Sequence, residues 1–150
     1  MKAILCESFG PPENLVLKEI DNPVAGDDEA IVEVYAASLN FPDGLQIQGK
    51  YQFQPPMPFT PGSEVGGIIK SVGPGLKGFE AGDRVMAIPG LGGLAEQVVG
   101  KAAGLRKIPT NIDFKTAAGF AMVYTTSYYA LKQRARLQAG ETLPVLGASG

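Results

Sequence analysis

The chain has 150 residues, of which 45% are hydrophobic, and a formal net charge of −2. That length fits one ordinary domain, or one domain and the opening of a second, and the apolar fraction suffices for a packed core. The lack of a basic block excludes an electrostatic nucleic-acid footprint, and zero histidines with one cysteine exclude His-based metal triads, Ser–His–Asp triads and zinc knuckles within the chain. The lone thiol, Cys6, cannot form an internal disulfide, which favours a reducing compartment. The apolar part of "MKAILCESF" is too short for a signal peptide, and no run approaches membrane-spanning length. These features together point to the cytoplasm.

Gly (20) and Pro (12) are abundant without a repeat period, as expected of tight turns between short strands. Residues 2–6 and 15–20 read as strands joined by the turn-prone "FGPPEN". Residues 29–39, "EAIVEVYAASL", are the longest strand, with Ile31, Glu33 and Tyr35 on one face and Val32, Val34 and Ala36 on the other. "LNFPDGLQIQGKY" breaks the alternation, and "QPPMPFTPGS" is a Pro-restricted loop. Residues 64–72, 83–88 and 93–100 complete the strands, a spacing that suggests a small antiparallel barrel or sandwich. Cys6 reads as a small buried hydrophobe.

The pattern changes near residue 111. "TNIDFKTAAGFAM" opens with capping-type residues and continues as a short helix. Tyr124, Tyr128, Leu131 and Ala135 then mark one face of a second helix over 124–137. Lys132, Arg134 and Arg136 fall near its end, where positive charge suits the helix dipole, and Gly140 is the expected C-cap. A strand over 143–147 follows, with Pro144 tolerable only at its start. "GASG" after that strand resembles the start of a phosphate-cradling turn, although the same residues occur in many ordinary turns.

Taken in order and spacing, "LNFPD", "PFTPGSEVGG", "VGPGLKGFEAGDRV", "YTTSYYAL" and "AGETLPVLGASG" resemble the medium-chain dehydrogenase/reductase superfamily. Within it they are most similar to the zinc-independent quinone oxidoreductases, the zeta-crystallin-like branch. The resemblance covers essentially the whole chain. It implies a mainly β fold: a GroES-like, partly open antiparallel barrel, then two helices and the first strand of a truncated Rossmann domain. Residues 1–123 would form the substrate-side domain, and 124–150 the linking helix and the opening of the NADPH-binding domain.

The resemblance also implies roles for single residues. Zinc-dependent relatives place a histidine ligand where this chain has Ser63 and a cysteine ligand where it has Asn40, so no metal site is expected. Glu64 is expected to be structural, with Gly66 and Gly67 allowing close backbone approach. The Asn40 amide would reach toward the nicotinamide or the substrate oxygen; from the local sequence it is equally an Asx-turn residue. Tyr51 would donate a hydrogen bond to a quinone or enone oxygen, or else anchor the Pro-rich loop. Leu45 departs from relatives that carry a second tyrosine. Thr126 matches a threonine that contacts the nicotinamide carboxamide, and is also a plausible N-cap. Ala148, Ser149 and Gly150 would begin the pyrophosphate loop.

The implied activity is NADPH-dependent reduction of quinones or other α,β-unsaturated carbonyls by a homo-oligomer, a dimer. Asn40 and Tyr51 would be catalytic, and Asn40, Thr126 and residues 148–150 would bind cofactor. With the fingerprint incomplete, the chain by itself is expected to be inactive and to bind NADPH poorly, exposing apolar surface along 124–147. A non-enzymatic GroES-like binding or structural module is the other reading, because fold does not fix function.

Overall fold

The strand β3 (Glu29–Ser38) owes its length to β-branched and apolar residues, and its neighbours follow from register. In a computed structural model, which describes residues 1–147, β3 pairs on one edge with β4 (Glu64–Val72) and on the other with β6 (Gln97–Lys101). β5 (Arg84–Ala87) joins β4, and β7 (Leu105–Lys107) joins β5, giving a five-stranded antiparallel sheet in the order β6-β3-β4-β5-β7. Register shifts in β3 at Ile31/Val32 and Val34/Ala36 add local twist, so the sheet curls. The expected partly open, mainly β barrel is what forms.

Inside the curl, Val32, Val65, Ile69, Val85 and Leu105 are buried and pack together. β1 (Lys2–Leu5) and β2 (Val16–Glu19) form a separate hairpin. It is fastened where Ile4 N–H donates to the Leu94 carbonyl (2.9 Å) and Glu96 N–H to that of Lys2 (3.0 Å). Cys6 bridges to Phe59 and is buried, and that burial pushes its thiol up from its ordinary value.

Gly66 and Gly67 serve the close approach expected of them. A Cβ on Gly67 would overlap the Glu33 carbonyl oxygen of β3, and one on Gly66 would press the Phe114 carbonyl. The second contact lets α2 (Phe114–Ala118) lie against the sheet, capped by Asp113 accepting from the Thr116 N–H at 2.7 Å. The Arg84 guanidinium stacks 4.3 Å from the Phe114 ring centroid, and the Tyr35 ring packs against Phe114 with centroids 4.9 Å apart.

Several elements depart from the sequence reading. "FPDGLQI", read from the sequence only as a break in the strand alternation, is a helix, α1 (Phe41–Ile47): Pro42 near the start and Asp43 at the third position supply its N-terminal chemistry. β7 was not foreseen. β6 begins at Gln97, not residue 93, because Gly93 and Leu94 donate instead to Gly62 and Pro61 of the Pro-rich loop. The second helix, α3, runs from Ala121 to Tyr128 and continues as a π-helical stretch, Tyr129–Arg134. It ends at Ala135, with Arg136 at φ 54°, so Gly140 is not its C-cap despite a φ of 88°. Residues 143–147 form no strand: among the described residues no strand pairs with them, Pro144 lacks a donor, and Leu146 is 93% exposed. The Tyr124 and Tyr128 face of α3 is likewise exposed.

One ion pair gives the sheet a pH signature. The Lys107 ammonium lies 2.8 Å from Asp83 and holds that carboxyl below its ordinary value, as the Thr116 N–H does for Asp113. A carboxyl lowered on folding stabilises above its unfolded value, about 3.9, and that stabilisation drains away as pH falls through and below it. The urea midpoint should therefore drop between pH 6 and pH 3. The drop should be shallower in Asp83→Asn; an unchanged slope in that variant would refute the assignment.

Candidate active site

β3 ends at Ser38, and the chain turns into α1 through Asn40 in extended conformation. Asn40 N–H donates to Asp43 Oδ2 (2.7 Å), and Asp43 N–H returns to the Asn40 carbonyl (3.0 Å). Asn40 thus stands as the N-cap of a helix. Its side-chain Nδ2 donates to the Ser38 hydroxyl (2.9 Å), which donates in turn to Glu64 Oε2 (3.1 Å).

Glu64 is wholly buried. Its Oε1 accepts from the backbone N–H groups of Ala121 and Met122 (3.1 Å for the latter). Those amides open α3, where the first turn has no intrahelical acceptors. One carboxylate therefore ties the Asn40 turn, the start of β4 and the start of α3 together. This is a sharper role than the general structural one read from "GSE". No local signal could have found it, since Ala121 is 57 residues away in sequence. It also corrects the capping reading of Thr126: Glu64 satisfies the start of α3. Thr126 lies inside the helix, exposed, its hydroxyl donating to the Met122 carbonyl at 2.6 Å.

Beside this network lies a cleft of about 410 Å³. α1 supplies Pro42 and Gln46, the following loop Tyr51 and Phe53, the strand entry Ser63, and α3 Met122. Gln46 and Ser63 are each only 6% exposed, yet Gln46 Oε1 and Ser63 Oγ have no hydrogen-bond partner. Asp43 Oδ1, three residues before Gln46 on the same helix face, is also buried and unpartnered. A groove of similar volume, about 400 Å³ near Ile20 and Lys101, has no such atom on its wall. Convergent polar groups in an apolar cleft are what a small-molecule site requires.

Tyr51 lines the cleft directly. Asn40 stands at the head of the helix that forms one wall, and Thr126 one turn beyond Met122 on another. Ala148, Ser149 and Gly150 lie outside the described residues. Sequence reading missed Gln46, which carried no motif. The donors near Ser63 are oxygens and amides, with no thiolate or imidazole. Among the described residues no three Asp, Glu, Cys or His side chains gather as a metal would need. The amides at the start of α3 already hold a carboxylate, so a phosphate has no place there.

The alcohol dehydrogenase GroES-like domain matches residues 26–110. The quinone oxidoreductase of Pongo abelii is 38% identical over 152 aligned positions, covering 100% of this chain and 46% of that protein. A quinone oxidoreductase-like protein 2 homolog of Nematostella vectensis is 38% identical, covering 99% of this chain and 41% of its own length. The crystal structure of the Thermus thermophilus quinone oxidoreductase, studied also in complex with NADPH, superposes with a TM-score of 0.81 at 34% identity. That match covers 94% of this chain and 43% of the other. The chain thus spans less than half the length of these relatives. No helix among the described residues is long and apolar enough to cross a membrane. With the domain match, the barrel and these relatives in agreement, the chain belongs to the alcohol dehydrogenase GroES-like family, on the quinone oxidoreductase branch of the medium-chain dehydrogenase/reductase superfamily.

Proposed function

We propose that the chain forms the acceptor side of a metal-independent, NADPH-dependent reductase of quinones or other α,β-unsaturated carbonyls. The observation that carries this reading is the cleft itself, apolar on most sides, lined by Tyr51 and by two buried residues with unpartnered polar atoms. Bound NADPH would supply the hydride. The Tyr51 hydroxyl donates to the acceptor oxygen as negative charge gathers there, the moment at which a preorganised donor contributes most. Asn40, held by Ser38 and Asp43, orients the acceptor or the nicotinamide, and Thr126 offers its exposed side to the carboxamide. Phe53, Pro42 and Met122 exclude water from the reacting atoms.

Residues 1–123 constitute the acceptor-side unit and 124–150 lead into the cofactor unit, with α3 straddling the division. Ala148, Ser149 and Gly150 would contribute to binding the cofactor pyrophosphate. The reading implies a homodimeric, cytoplasmic enzyme, with residues 1–150 inactive when isolated.

The complete gene product should oxidise NADPH with 1,4-benzoquinone or an enone as acceptor, at a rate that a metal chelator leaves unchanged. Residues 1–150 alone should not do so. Tyr51→Phe should lower kcat/KM by about 100-fold, the effect of removing one oxyanion donor. Failure of the complete protein to oxidise NADPH with any quinone or enone refutes the proposal.

A further inference from the structure

Most buried polar side chains in a folded protein have a partner, and exceptions mark places where a ligand or an ordered water belongs. Here two exceptions belong to residues that line one cleft. Gln46 Oε1 is an acceptor without a donor, and Ser63 Oγ is a hydroxyl that neither gives nor receives. Both residues are more than nine-tenths buried. Of their neighbours along the wall, Pro42, Phe53 and Met122 offer no polar side-chain group, and the Tyr51 hydroxyl bonds to neither atom. A carbonyl oxygen could take the Ser63 proton but would leave Gln46 Oε1 unpaired. A hydroxyl answers both, donating to Gln46 Oε1 and accepting from Ser63 O–H.

We propose that Gln46 and Ser63 form a hydroxyl-recognising subsite, so that the cleft selects acceptors carrying a hydroxyl group in addition to the reducible carbonyl. This rests on the acceptor-site reading above and narrows its substrate class to hydroxylated quinones and enones. The carbonyl oxygen faces Tyr51, the hydroxyl enters the pair, and the body of the molecule lies on the apolar wall. A site built to bond a hydroxyl disfavours the analogue lacking it, because binding then leaves buried polar groups unpaired.

The test is a matched pair of stable ketones, 4-(4-hydroxyphenyl)butan-2-one and 4-phenylbutan-2-one. Neither carries an electrophilic alkene that could alkylate Cys6. Each is titrated into the 15N-labelled chain and followed by amide chemical shifts. The hydroxylated ketone should bind about tenfold tighter, the worth of one well-made hydrogen bond, and should move the Gln46 and Ser63 amides. In Gln46→Leu and in Ser63→Ala the preference should fall below about twofold, with the phenyl ketone bound at least as well as before. Two variants are used so that one misfolding, visible as lost signal dispersion, leaves the other decisive. Equal affinities in the unsubstituted chain would mean that water suffices for the pair and would overturn the subsite alone. A preference surviving both substitutions would overturn it as well. If neither ketone moves any cleft amide, the acceptor-site reading falls with it.

Discussion

Glu64→Leu should destabilise the chain by about 3–5 kcal/mol, the cost of leaving one buried and one half-buried backbone donor and a half-buried hydroxyl without their acceptor. The donors are the N–H groups of Ala121 and Met122 and the hydroxyl of Ser38. Ala121 is 2% exposed, so water cannot take over its N–H. Against a typical total of about 5–15 kcal/mol, such a loss is a large fraction of the whole. Glu64→Gln keeps Oε1 as acceptor and turns an NH₂ toward Ser38, whose hydroxyl can accept, so about 1 kcal/mol is expected. Urea midpoints give the two values, and amide exchange should accelerate first at Ala121 and Met122. If Glu64→Leu unfolds at the same midpoint as the unsubstituted chain, the carboxylate does not fasten α3.

Gly67→Ala is the second large effect. Gly67 stands opposite Val34 in the middle of the β3–β4 ladder, and an added Cβ would run into the Glu33 carbonyl oxygen and lie 2.9 Å from Val32 Cγ1. Backbone cannot yield there as a flexible side chain would, because β3 is held on its other edge by β6. The expected cost is at least about 3 kcal/mol, the upper range for overpacking a core. Gly44 in α1 is the control: a Cβ there meets nothing within 4 Å, and alanine should stabilise by about 0.5–1 kcal/mol. Thermal melts of the two variants should move in opposite directions. A Gly67→Ala protein as stable as the unsubstituted chain would show that the strands can part without cost.

The sequence made the barrel legible because strand signals are local. Alternation over residues 29–39, turn glycines after β4 and capping chemistry at Asp113 each act within a few residues, and each element formed close to its expected place. α1 was missed because "NFPDG" carries both turn and helix-start chemistry. What settles it is Asp43 reaching back to the Asn40 amide while Gln46 and Ile47 find buried positions. Residues 143–147 erred in the other direction: their composition suits a strand, but a strand exists only with a partner, and among the described residues no strand pairs with them.

The candidate site divides along the same line. Tyr51 was singled out from its place in a motif, and the fold sets it on the cleft wall. Gln46 had no motif, and its significance arises only once burial removes it from water without a partner. Residue order was enough to specify a β-rich barrel closed by glycine contacts, and to fix the oxygen and amide chemistry at Asn40 and Ser63. Both follow from side-chain identity and short-range periodicity. Three-dimensional packing had to supply the Glu64 tie between the acceptor turn and α3, and the pairing of Gln46 with Ser63 in one cleft. Hydrogen bonds and burial join groups by distance in space, and these groups come together only after the chain has closed on itself.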